Sequence, residues 1–126
     1  MQIIASRENS LIKHIIKLKN KKYRNEYNEY LIEGAKLLKE AIEEKANVKT
    51  VVIEEGTIHN DLIKQNLGKY LLHKDYVQVP SHIFKLISEV EAPQGVLAII
   101  EKNMNEKKLD YSKDIILALE DIQDPR

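Results

Sequence analysis

The chain has no cysteine, which excludes disulfides and thiolate metal sites and fits a reducing compartment such as the cytoplasm. No apolar run approaches the length of a membrane span. The opening residues, Met1 to Arg7, do not form the apolar segment of a secretory signal. There is no Walker loop, no glycine-rich dinucleotide fingerprint and no zinc-ligand spacing. His14, His59, His73 and His82 have no partner at ligand spacing on one face and read as surface or boundary residues. The neighbouring acids Glu43-Glu44 and Glu54-Glu55 point to different faces of their elements and form no acid–base pair. No catalytic constellation and no metal site is expected within the chain.

What is present suits one globular domain of modest core. Of the 126 residues, 43% are apolar and 32% charged, too apolar for a disordered segment. Net charge is zero, but it is unevenly distributed. Residues 1–24 carry seven Lys or Arg and one acid, a net +6, whereas residues 25–126 carry thirteen and nineteen, a net −6. A basic arm on an acidic body points either to a polyanionic partner, most commonly nucleic acid, or to a solvated helix face.

The stretch 30–41 organises the rest. Tyr30, Leu31 and Ile32 read as a buried strand, Gly34 as a corner, and Leu37, Leu38, Ala41 and Ile42 as the apolar stripe of a following helix. Earlier, Asn9 or Ser10 caps a helix from Leu11, whose apolar stripe is Leu11, Ile12, Ile15, Ile16 and Leu18. Lys13, Lys17 and Lys21 recur every four residues on its other side, and Lys22 and Arg24 extend the charge. Tyrosines beside lysines either stack on unpaired bases or serve the core with a polar tip. Tyr23 reads as the outward ring, Tyr27 and Tyr30 as core.

Further along, residues 50–54 form a second strand closed by Gly56. A helix capped by Asn60 carries Leu62, Ile63 and Leu67 and is expected to stop at Gly68. Residues 76–79 form a third strand, and Pro80-Ser81 opens a helix with Ile83, Phe84, Leu86 and Ile87. Pro93-Gln94-Gly95 makes a turn into a fourth strand at 96–100. Alternating strands and helices predict an α/β fold with parallel pairing and helices on both faces. Residues 102–113 read as a polar linker, and residues 115–119 as a further apolar strand that opens a second domain.

Together these stretches resemble the SpoU (TrmH-like) family of RNA ribose 2′-O-methyltransferases. The pattern is Ser6, Asn9, Lys13, Leu18, Tyr23-Arg24, then residues 30–34, Lys36 and Glu40-Ala41. Pro93-Gln94-Gly95-Val96-Leu97-Ala98 is its clearest landmark, and Ile122-Gln123-Asp124-Pro125 is similar to the first motif of the family's catalytic domain. The resemblance implies a three-layer α/β/α sandwich similar to kink-turn-binding ribosomal proteins over residues 1–101, which recognises RNA. It implies a linker at 102–113 and the first strand of a trefoil-knot (SPOUT) domain at 114–126. That second domain binds S-adenosylmethionine and dimerises, so the full-length protein is expected to be a homodimeric, donor-dependent enzyme, and this chain by itself to be non-catalytic and without a cofactor.

The implied RNA-contacting residues are Arg7, Asn9, Lys13, Lys17, Lys21, Lys22, Tyr23, Arg24, Lys36, Gln94 and Gly95. Ribosomal RNA is favoured over transfer RNA as partner, with no membrane. Two departures matter. Lys36 and Leu37 stand where kink-turn binders carry Asn-Glu, which turns the expectation to generic phosphate contact. Val90 and Ala92 stand where relatives are often hydroxylic. Two other readings remain open: a free-standing RNA-binding module of ribosomal-protein type, and a protein-interaction or dimerisation module.

Overall fold

The computed structural model describes residues 1–91 and 93–102. The linker from residue 103, the apolar strand at 115–119, the Asp-Pro motif and Ala92 lie outside the described residues. A two-residue strand, β1 (Gln2–Ile3), leads into α1 (Ser10–Lys17) and α2 (Lys21–Tyr27). Then come β2 (Glu29–Glu33), α3 (Ala35–Glu43) and β3 (Asn47–Glu54). A 3₁₀ turn (Thr57–His59), α4 (Asp61–His73), β4 (Val77–Val79), α5 (Ser81–Ile87) and β5 (Val96–Glu101) complete the order.

The strands form one sheet in the order β1-β4-β3-β5-β2, covered on both faces as expected. Side chains alternate along each strand and divide the core in two. Leu97 and Ile99 of β5 join Ile12, Ile15 and Leu18 of α1 and Ile83, Phe84 and Ile87 of α5. Val96, Ala98 and Ile100 face the other way, with Ala35 and Leu38 of α3 and Ile63, Leu67 and Leu71 of α4. The result is the three-layer α/β/α sandwich.

Three expectations are corrected. The sheet is mixed rather than parallel: β1, β4 and β3 are parallel, but β5 runs antiparallel to both β3 and β2. The cause is α5. Its seven residues rise only about 10 Å, and the chain re-enters the sheet at the end where β4 left it, with the Glu54 amide donating to the Gly95 carbonyl. A parallel β5 would need a crossover back along the strands.

Helix α4 does not stop at Gly68 but continues to His73. Leu71 extends the buried row of Ile63 and Leu67, and that burial outweighs the roughly 1 kcal/mol that a mid-helix glycine costs. The third correction concerns the basic helix. It is two helices, because Asn20 takes an extended conformation and its side chain accepts from the Lys22 amide, capping α2. The stripe Lys13, Lys17, Lys21 is therefore broken, with Lys21 on the second helix. Strand β1, invisible to periodicity at two residues, is fixed by Ile4 and Gln2 amides donating to Gln78 and Tyr76 carbonyls.

Candidate nucleic-acid interface

Helix α2 buries none of its residues. Tyr23 and Tyr27, four apart, lie on one side of it. Their rings stack at 6.2 Å between centroids and 16° between planes. The His14 ring of α1 meets Tyr27 edge-on at 4.8 Å and 67°. Lys17 and Lys22 bring their ammonium groups to 5.7 Å and 5.5 Å from the Tyr23 centroid, each contact contributing about 0.5–1 kcal/mol at an exposed site. Tyr27 is thus not a core residue: it is 37% exposed and spends its face on Tyr23. Tyr30 packs against the α3–α4 side of the core as expected.

Beneath this row lies Glu29, at 4% exposure the one buried charged side chain of the described residues. Its carboxylate accepts from His14 Nε2 at 2.6 Å and from Lys49 Nζ at 2.7 Å. Burial pushes the Glu29 carboxyl up, but the hydrogen bonds from Lys49 and His14, helped by their charges, together hold it below the usual 4.5. The same hydrogen bond to Glu29 raises Lys49 above the usual lysine value against a smaller cost of desolvation. Lys49, at the register shift between Val48 and Thr50 where β3 bulges against β5, covers Glu29 from the solvent side, its own side chain staying 44% exposed. Sequence reasoning missed this cluster. The one available signal was an acid, Glu29, opening an otherwise apolar strand.

Several expected contact residues have partners on this chain, Arg24 and Asn9 in the fold and Lys13 at the surface. Arg24 donates to the carbonyls of Leu18 and Lys19 at 3.1 and 2.8 Å, closing the end of α1. Lys13 pairs with Glu8 at 3.0 Å. The Asn9 side chain caps α1 by accepting from the Leu11 amide. Lys17, Lys21 and Lys22 are exposed, and among the described residues none of the three is paired with a carboxylate. Arg7 lies apart from them, on an open cleft of about 480 Å³ that it shares with His82, Ile83 and Leu86. Two smaller open clefts, about 240 and 220 Å³, border Lys49 and Lys74 and the α4 residues Gly68 and Leu72.

Lys36, Gln94 and Gly95 form a second group. Gly34 turns the chain at φ +105°, a conformation that glycine alone adopts easily. The amide of Ala35 at the start of α3 donates to Gln94 Oε1 at 2.9 Å. Gly95 is buried at φ +88°, where an added Cβ would lie 2.5 Å from Thr57 Oγ1. Glu33 accepts from the Ser88 hydroxyl and the Glu89 amide, both at 2.7 Å, tying the loop before Gln94 to β2. Lys36 stands exposed beside this corner. The two groups do not meet: Glu29 and Glu33 are the opposite ends of β2, roughly 13 Å apart. Among the described residues no group of three His, Asp or Glu side chains could hold a metal ion.

Residues 9–98 match the MRM3-like substrate binding domain. The chain belongs to this family. Over 125 residues it is 30% identical to the 23S rRNA (guanosine(2553)-2′-O)-methyltransferase RlmP of Bacillus subtilis, covering 99% of this chain and 46% of that protein. A solved RNA 2′-O ribose methyltransferase superposes with a TM-score of 0.69 at 25% identity, over 79% of this chain and 37% of that one. An AdoMet-bound rRNA methyltransferase from Sinorhizobium meliloti gives a TM-score of 0.63 at 25% identity, over 81% and 37%. The chain spans less than half the length of these relatives. The resemblance to SpoU methyltransferases drawn from the motifs therefore holds. The span shared with the MRM3-like substrate binding domain runs from Asn9, the cap of α1, to Ala98 in β5, and so includes both the ring row and the Gly34 corner.

Proposed function

We propose that this chain is the RNA-recognition part of an rRNA 2′-O-ribose methyltransferase, and that its exposed basic α1–α2 surface holds the substrate. The observation that supports this is the match to a substrate-binding family over residues 9–98, which contain that surface. In the proposed whole protein, a ribose 2′-hydroxyl loses its proton and receives the methyl group of S-adenosylmethionine. In this reading the donor is held by the catalytic domain, outside the described residues. The work of this chain is to bind and orient RNA.

In this reading residues 1–101 form the recognition domain, 102–113 a linker and 114–126 the opening of the catalytic domain. The whole protein works as a cytoplasmic homodimer. No helix among the described residues is long and apolar enough to cross a membrane. Phosphate contacts fall to Lys17, Lys21 and Lys22, with Arg7, Lys13 and Lys36 at the margins; Asn9 and Arg24 hold α1 in place. Gln94 and Gly95 hold the corner on which Lys36 stands.

Fluorescence anisotropy of labelled 23S rRNA fragments titrated with the chain tests the reading. Saturable binding that weakens steeply with salt is expected. Binding that is absent at low salt, or indifferent to salt, contradicts it.

A further inference from the structure

Lysines alone hold any polyanion, but the α1–α2 surface also carries rings. His14, Tyr27 and Tyr23 form a continuous row, backed at its inner end by the Glu29 carboxylate that fixes the His14 ring. At the outer end Tyr23 has one face against Tyr27, and Lys17 and Lys22 gather around its ring. Neither lysine is paired with a carboxylate among the described residues, so their positive charge is available to a ligand. Tyr23 and Tyr27 are also pre-stacked on a helix that contributes nothing buried to the core. A ligand therefore meets a platform already in place, and little side-chain entropy is lost on binding.

From this arrangement we infer that the Tyr23 end of the row is a stacking platform for an unpaired base of single-stranded RNA, with Lys17 and Lys22 gripping the phosphates beside it. The inference rests on the RNA-binding role proposed above and adds to it a preference for unpaired over paired substrate. The flat face of any base can extend the row, since stacking on an aromatic ring needs no particular hydrogen-bond pattern. Bases within a duplex are already stacked on one another and cannot reach it. The cations fit this use, because a base that displaces them from the Tyr23 face brings its own phosphates to receive them.

The chain contains six tyrosines and no tryptophan, so its intrinsic emission reports on tyrosine directly. Three probes separate the contributions: a short oligoadenylate, its duplex with oligouridylate, and an abasic ribose-phosphate strand of equal length. The oligoadenylate is expected to quench tyrosine emission and to bind roughly tenfold more tightly than the abasic strand. Tyr23→Leu should remove that advantage and the quenching while leaving abasic binding unchanged, and Tyr23→Phe should retain the affinity. Circular dichroism of each variant checks the fold, and Tyr27→Leu provides a second removal from the row.

Equal binding of oligoadenylate and abasic strand, or Tyr23→Leu with undiminished affinity for oligoadenylate, overturns the platform. If the duplex binds best and Lys17→Glu with Lys22→Glu abolishes its binding, the platform falls while the RNA-binding role stands. If no probe binds at low salt, the RNA-binding role falls with it.

Discussion

At the Gly34 corner the polar side chains are spent on hydrogen bonds to the backbone and to one another, whereas around the Tyr23 ring the lysines have no carboxylate partner among the described residues. Gln94 caps α3, Glu33 ties down residues 88 and 89, and Gly95 fits against Thr57 with no room for a Cβ. Of that group only Lys36 is uncommitted. On α1 and α2 the reverse holds: the core is supplied by Ile12, Ile15 and Leu18, which leaves Lys17, Lys21, Lys22 and Tyr23 spare. The lesson is that the stretch most distinctive in sequence is distinctive because the backbone needs it. The surface with chemistry to offer a ligand is the plainer, lysine-rich one.

Substitutions sharpen this contrast, and the largest effect is expected at Gly95. Gly95→Ala places a Cβ against the body of Thr57 and forces a side chain into left-handed backbone, which should cost about 3 kcal/mol. Urea unfolding checks it; a loss within experimental scatter would mean the corner is not under structural constraint.

Glu29→Gln should cost about 2 kcal/mol, because a buried amide cannot replace the carboxylate that His14 and Lys49 share. This effect carries a pH signature. The Glu29 carboxyl titrates lower in the folded chain than its ordinary value of 4.5, so the native state favours its charged form. Its contribution is complete above about pH 4.5 and is lost as pH falls through the depressed folded value. The stability gap between wild type and Glu29→Gln should accordingly be wide at neutral pH and close on acidification below 4.5. A gap that widens in acid would reverse the assignment.

Gln94→Ala removes a cap from one amide and should cost about 1 kcal/mol, with RNA affinity unchanged when compared between folded samples. Smallest in stability is the triple change Lys17→Glu, Lys21→Glu and Lys22→Glu. Its melting temperature should stay near that of the wild type, since none of the three side chains supports the core.

Much of the fold was legible from residue pattern. The apolar runs at 30–32, 50–54 and 96–100 lie in strands, as does all of 76–79 but Tyr76, and Asn9, Asn20 and Asn60 all cap helices, though Asn20 was not recognised. What escaped has physical causes. Strand direction depends on where α5 delivers the chain, which its apolar stripe does not encode. Gly68 is a poor helix residue taken as a stop because local propensity cannot register the later burial of Leu71. In the candidate site, the lysines and Tyr23 were visible as types and spacings. That Arg24 closes the end of α1 was not, nor was the joining of His14, Glu29 and Lys49. Those are contacts between residues 15 and 20 positions apart, created by a helix break and a β-bulge.

The most direct test of the contrast is the salt dependence of RNA binding by two variants, the α1–α2 triple change and Lys36→Glu. Each phosphate contact on single-stranded RNA contributes about 0.7 to the log–log slope, so loss of three should flatten the slope by roughly 2 and abolish tight binding. Lys36→Glu should change it by less than one contact. A triple variant that keeps the wild-type slope while Lys36→Glu loses it would place the RNA at the corner and contradict the account.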